Sequence, residues 1–219
     1  PYEHSLLGSH HLLDRPFLEE YIQFLVAQMT KKDVVVDCKP SRHVLTMDLD
    51  FAFQWYARPL PMVLASLIKS PSRYPGWQTL RSIRKGKQRD PYDVMQRVHQ
   101  WAEAQGVSLR IFLPVGKRSS MDRHVDPFNR AFIAWLKPWS EVVDFGLHPT
   151  YALGSWDSPR RWEVLADEIK RFEELVNQPC HHVRKHYLRC RPHYDYPKFS
   201  SFGIQNDWSM GYGSCPGFR

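Results

Sequence analysis

The sequence predicts an α/β fold with parallel strands joined by helical crossovers, a closed or partly closed β/α barrel first and a doubly wound sheet second. Strand-like runs of apolar and β-branched residues alternate with segments of helical period, the signature of parallel strands with crossovers. Unusual polar residues stand at the ends of three of those strand-like runs, where α/β folds gather their chemistry. The 219 residues suffice for one domain. It divides into an N-terminal arm and helix packing on the barrel over 1–40 and the barrel itself over 41–219.

Residues 16–29 read as a helix, with Leu18, Tyr21, Ile22, Leu25 and Val26 at helical spacing and Pro16 in the first turn. A short strand is expected over Asp33–Asp37. The run Val44-Leu45-Thr46-Met47-Asp48-Leu49 is the central strand. Met62–Ile68 has the apolar face of a helix, and Pro71–Gly76 is a loop. Asp90 as N-cap with Pro91 at the first helical position starts a helix that stops at Gly106. Val107–Leu113 follows as a strand, Asp126–Lys137 as a helix and Val142–Leu147 as a strand ending at His148. Ser158 with Pro159 starts the longest helix, running to Val176 with Leu165, Ile169 and Phe172 inward. His182–Leu188 reads as a strand end. A proline-rich loop then leads to a short strand at Phe202–Ile204.

No stretch of about 18 apolar residues exists, which argues against a membrane span. No basic-then-apolar signal opens the chain. Cys38, Cys180, Cys190 and Cys215 are scattered without a C-x-x-C, which fits reduced thiols in a cytoplasmic protein. The net charge of +7 invites a nucleic-acid partner, but the basic residues are dispersed. The densest run, Arg81–Arg89, reads as a solvated loop, so nucleic acid is not the expected partner. The chain begins at a proline without Met, and its abrupt end at Gly217-Phe218-Arg219 is consistent with truncation.

Chemistry concentrates around Asp48 and Asp50. Side chains alternate across a strand, so carboxylates two apart point the same way. Like charges so placed repel unless a cation, a shared proton or arginines offset them. The pair alone also fits a solvated turn. Further strand ends supply His148, then Arg184 and His186, and parallel strands would carry all five to one rim. Imidazole and carboxylate suit zinc or a similar divalent ion with a position left open for water.

The order Asp48-x-Asp50, His148-Pro149-Thr150-Tyr151, Arg184-Lys185-His186-Tyr187, Asp207-Trp208-Ser209-Met210-Gly211-Tyr212 and Gly217-Phe218-Arg219 resembles the polysaccharide deacetylase superfamily. Within it, the bacterial branch found beside surface-polysaccharide genes is the nearer likeness, and the resemblance runs from about residue 44 to the end. It implies a distorted (β/α) barrel and a metal-dependent carbohydrate deacetylase, an amide hydrolase acting on C–N bonds other than peptide bonds. Zn2+ is the cofactor most in keeping with it, and a saccharide is the partner. By this likeness Asp48 is the base and Asp50 a metal ligand. The family's second motif places two histidines four apart; here the first is His148 and the second position is Ala152. The third motif is Arg-x-Pro-Tyr, and His186 replaces its proline. The expected metal set is therefore Asp50, His148 and His186.

In the same scheme Arg184 keeps Asp48 ionised. The Tyr187 N–H serves the oxyanion, and Asp207 tunes Arg184 or a histidine acid by charge pairing. Trp208, Tyr212 and Tyr151 are the candidate substrate contacts. The family's last motif contributes a histidine acid with no clear equivalent in this chain. A glycosidase with paired carboxylates and a catalytically silent saccharide- or nucleic-acid-binding barrel are the rival readings.

Overall fold

A computed structural model describes residues 6–30, 42–154 and 160–211. The expected strand at 33–37, the Ser158-Pro159 helix start, Cys38, Cys215, Tyr212 and the end at 217–219 lie outside the described residues. Helices α1 (Leu6–Ser9) and α2 (Phe17–Thr30) precede strand β1 (Val44–Asp48). Helices α3 (Leu60–Lys69), α4 (Trp77–Arg84) and α5 (Met95–Gln105) lead to β2 (Ser108–Leu113). Then come α6 (Arg130–Leu136), β3 (Asp144–Leu147), α7 (Arg161–Val176), β4 (His182–Val183), α8 (Pro192–Ser201) and β5 (Asn206–Asp207).

Among the described residues five strands form the sheet, all parallel and in strict chain order, β1-β2-β3-β4-β5. That order contains no reversal, so the doubly wound alternative fails. A sheet always extended in one direction curls, and this one forms a half-barrel with helical crossovers.

The strand register sorts the side chains onto two faces. Leu45 and Met47 of β1 share a face with Leu109, Ile111 and Leu113 of β2, and with Phe145, Leu147 and Val183. This face meets the helices: Leu165, Ile169, Phe172 and Val176 of α7, at helical spacing, join the same buried cluster. The other face carries Thr46, Asp48, Arg110, Phe112, Asp144 and His182. Gly146 lies on it because a Cβ there would stand 2.5 Å from the Phe112 ring.

Several local expectations are corrected. Asp90 does not cap a helix, since α5 begins only at Met95. Its carboxylate accepts instead from the backbone N–H groups of Gln54, Trp55, Tyr56 and Tyr92 at 2.7–2.9 Å. The capping chemistry is the same, but it ties the loop after β1 to a distant segment. The helix expected from Asp126 starts at Arg130, where the Asn129 side chain accepts from the Ala131 and Phe132 N–H groups. The proline-rich stretch after 190 is not a loop but α8. Pro192 occupies its tolerant first turn, Pro197 removes a single donor, and buried Phe199 anchors the helix. The strand expected at 202–204 begins at Asn206, after a turn at Gly203 with φ 79°. Part of the Arg81–Arg89 run is helical rather than loop, and Arg84 donates to the Trp55 and Arg58 carbonyls. Helix α2 leaves Tyr21, Phe24 and Met29 exposed. No described helix is long and apolar enough to cross a membrane. Cys180 and Cys190 are free and buried, and burial pushes the Cys180 thiol up to about 12.

Candidate metal centre

Each member of the site is delivered by the end of a strand. Strand β1 closes at Asp48, and the turn that follows presents Asp50. His148 is the first residue beyond β3, and its N–H continues the ladder to Leu113. Arg184 follows β4, with its N–H on the Leu147 carbonyl. His186 begins a short 3-10 turn, His186–Leu188. In that turn Tyr187 and Leu188 have φ of 56° and 54°, left-handed conformations that cost side-chain-bearing residues on the order of 1–3 kcal/mol each.

Asp50, His148 and His186 each bring one ligand atom to within 4.8 Å of the others. His148 Nε2 lies 3.4 Å from Asp50 Oδ1. A tetrahedral ion with bonds of about 2.0–2.1 Å sets its ligands about 3.4 Å apart, which is the spacing of this pair. The remaining ring nitrogens are already used. His148 Nδ1 donates to the Arg184 carbonyl at 2.6 Å, and His186 Nδ1 donates to Asp122 Oδ1 at 2.9 Å. Both acceptors take a hydrogen from the ring, so each Nδ1 carries one and each Nε2 is the atom left for an ion; with no ion bound, a protonated His148 turns its Nε2–H to Asp50. The His148 side chain is 3 % exposed and that of Asp50 is 47 %, so the cluster is walled on one side and open on the other.

Electrostatics couple the pair. The hydrogen bond from His148 holds the Asp50 carboxyl below its usual range, against the burial that works the other way. Burial pushes His148 down, but the Asp50 hydrogen bond, the Asp48 charge and the Arg184 carbonyl outweigh it and leave this imidazole raised.

Arg184 is the hub of the remaining contacts. Its guanidinium donates to Asp48 Oδ1 at 3.0 Å, to Thr46 Oγ1 at 2.6 Å and to the Trp208 carbonyl at 3.2 Å, while lying over the Phe112 ring. The segment is pinned from behind by a buried ion pair, Lys185 Nζ to Asp195 Oδ2 at 3.0 Å. Burial lowers the Lys185 pKa, and Asp195 opposes that shift. The Lys185 N–H also donates to Ser209 Oγ, which donates in turn to Asp207 Oδ1.

Of the residues expected from sequence, Asp48, Asp50, His148, Arg184, His186, Tyr187 and Trp208 share a cleft of 440 Å3. Asp207 stands behind it: its carboxylate accepts from Ser209 and from the Cys190 thiol at 3.2 Å, and its link to Arg184 runs through the Trp208 carbonyl. Tyr151 stands one layer out, edge-on to Tyr187, which stacks on His186. A larger cavity of 810 Å3 runs beside β5. Its one carboxylate, Asp207, is already committed to Ser209 and Cys190, whereas the smaller cleft gathers Asp48, Asp50, His148 and His186.

Sequence reasoning missed Asp122. It is 4 % exposed and accepts from His186, from the Tyr151 N–H at 2.8 Å and from the Ser119 hydroxyl at 2.6 Å. It lies in the segment between β2 and α6, which has no periodicity to mark it. Behind it, Glu168 of α7 accepts from the Thr150 N–H and hydroxyl, and burial raises its pKa to about 7. Gly116 is required there, since a Cβ would stand 2.1 Å from the Thr150 side chain. Compared with known proteins, the chain matches no family model, no curated protein and no solved structure.

Proposed function

We propose that this chain is a divalent-metal-dependent hydrolase that removes N-acetyl or related acyl groups from a saccharide, with zinc as the metal. The observation that carries the reading is the Asp50–His148–His186 cluster, whose ligand atoms lie within 4.8 Å of one another while both Nδ1 atoms are taken by other partners. The order of motifs that resembles the polysaccharide deacetylase superfamily supports it, as does a sequentially ordered parallel half-barrel with its polar residues at the strand ends. A bound divalent ion would supply Lewis acidity toward the acyl carbonyl and acidify a water molecule.

The chain's own groups do the rest. Asp48 takes the water's proton, and the Arg184 contact keeps that carboxylate oriented. The Tyr187 N–H serves the developing oxyanion, carried on a backbone held left-handed for the purpose. Trp208 walls the sugar, and Tyr151 supports Tyr187. A paired-carboxylate glycosidase would make no use of two imidazoles with preset tautomers, and Asp48 is already clamped by arginine.

The test is acetate release from N-acetylated oligosaccharides by the zinc-loaded protein. Release by the wild type with loss in Asp48→Asn is expected. Equal release by both would sink the assignment of Asp48, and no release from any acylated saccharide would sink the hydrolase reading.

A further inference from the structure

A second cleft adjoins the metal centre through two separate chain neighbours. Phe51 follows Asp50, and Arg123 follows Asp122, the carboxylate bonded to His186. Consecutive Cα atoms lie about 3.8 Å apart, so a cavity of 310 Å3 lined by both Phe51 and Arg123 lies within a side chain's reach of Asp50 and Asp122. Trp55 and Tyr92 add aromatic surface, and Arg58 and Lys69 add charge. Phe51 and Tyr92 are partly exposed, as a stacking platform must be.

The lining holds three cations and no carboxylate. Arg58 gives one N–H to the Gln54 carbonyl at 3.2 Å and lies over the Phe51 ring at 5.8 Å. Arg123 gives its Nε–H to the Ser120 carbonyl at 2.8 Å. Burial, with Arg118 nearby, lowers the Arg58 pKa from its usual value. Asp90 is near enough to act on it weakly, but its oxygens are taken by four backbone N–H groups. Arg58 is half-buried and Lys69 and Arg123 are exposed, so an anion entering the cleft meets one partly desolvated guanidinium beside two solvated cations. Forked guanidinium groups suit the planar or tetrahedral oxygens of an acid.

We propose that this cleft binds the anionic group of an acidic saccharide, a carboxylate or a phosphate or sulfate ester, while the neighbouring acylated sugar reaches Asp50, His148 and His186. The proposal rests on the hydrolase reading for its acylated sugar and deepens it by naming acidic glycans as the substrate class.

The experiment is titration calorimetry on the whole chain, with and without zinc. The probes are a hyaluronan tetrasaccharide, a neutral N-acetylglucosamine tetramer, inorganic phosphate and a short oligothymidylate. The acidic tetrasaccharide is expected to bind about tenfold more tightly than the neutral one, the worth of one charge-assisted contact. That preference should persist after metal removal and in His186→Ala, and vanish in Arg58→Gln/Arg123→Gln. It should survive in Arg97→Gln/Lys170→Gln, which removes the same charge from exposed helix positions. Equal affinities, no saccharide binding, or a preference that survives loss of Arg58 and Arg123 would overturn the proposal. So would tighter binding of phosphate or oligothymidylate through those two arginines. Because the preference is read without metal, its failure is separable from failure of the metal centre.

Discussion

His186 donates its Nδ1 proton to a buried carboxylate, Asp122, 2.9 Å away. Three further properties make this pairing matter. Asp122 is itself held by the Tyr151 N–H and the Ser119 hydroxyl, it fixes the imidazole tautomer, and it leaves Nε2 as the ring nitrogen for an ion shared with Asp50 and His148. Removing such an outer partner typically costs about 10–100-fold in metal affinity. Asp122→Asn is therefore expected to weaken zinc binding by about that factor in a competition titration with a chromophoric chelator, while the far-UV spectrum stays native. Unchanged affinity would reduce Asp122 to a loop fastener.

Arg184 serves two masters, Asp48 through its side chain and His148 through its carbonyl. Substitution separates them. Arg184→Lys keeps the backbone acceptor and one positive charge but loses the planar fork that reaches Asp48, Thr46 and the Trp208 carbonyl together. Zinc content should stay at the wild-type level while acetate release falls about 100-fold or more, the usual worth of a positioned base. Stability should fall by about 1.5–3 kcal/mol in urea unfolding, since hydrogen bonds to a charged group are lost. Loss of metal in this variant would place Arg184 in the binding of the ion rather than in the support of Asp48.

The sequence made the outline of this centre readable because parallel strands deliver their C-terminal ends to one rim. Asp48, Asp50, His148, Arg184 and His186 could be grouped by that rule, and the family resemblance then singled out Asp50, His148 and His186 as ligands. The runs around β1, β2 and β3 were equally legible, since each is a short block of apolar and β-branched residues between polar segments. Asp122 was not, because nothing in its aperiodic segment distinguishes it from its exposed neighbour Arg123. Asp90 misled for the opposite reason. An aspartate before a proline carries a strong helix-start signal, yet its oxygens bind the N–H groups of Gln54, Trp55 and Tyr56, more than thirty residues away in the chain. Helix α8 was hidden by its prolines, whose local message of interruption is overruled by the burial of Phe199 and Asp195.

Glu168 supplies a pH signature. Burial raises its pKa to about 7 from an ordinary 4.5, so the folded state holds this proton more tightly than the unfolded chain does. A raised folded-state pKa gives stability that is fully present below the unfolded value and lost as pH rises through the folded one. The loss should therefore develop between about pH 4.5 and pH 7 and amount to on the order of 3 kcal/mol. Glu168→Gln keeps partners for the Thr150 N–H and hydroxyl but cannot ionise. Measured by urea unfolding, its stability relative to wild type should climb over that interval and then level off. A constant difference across the range would mean that Glu168 is ionised throughout.

The claim on which the rest depends is that three side chains from separate strand ends hold one metal ion. Elemental analysis of the purified protein after zinc loading and gel filtration tests it most directly. About one zinc per chain is predicted for the wild type and for Asp48→Asn, and close to none for Asp50→Asn, His148→Gln and His186→Ala. Wild-type protein that keeps no zinc, or His186→Ala that keeps all of it, would contradict the account.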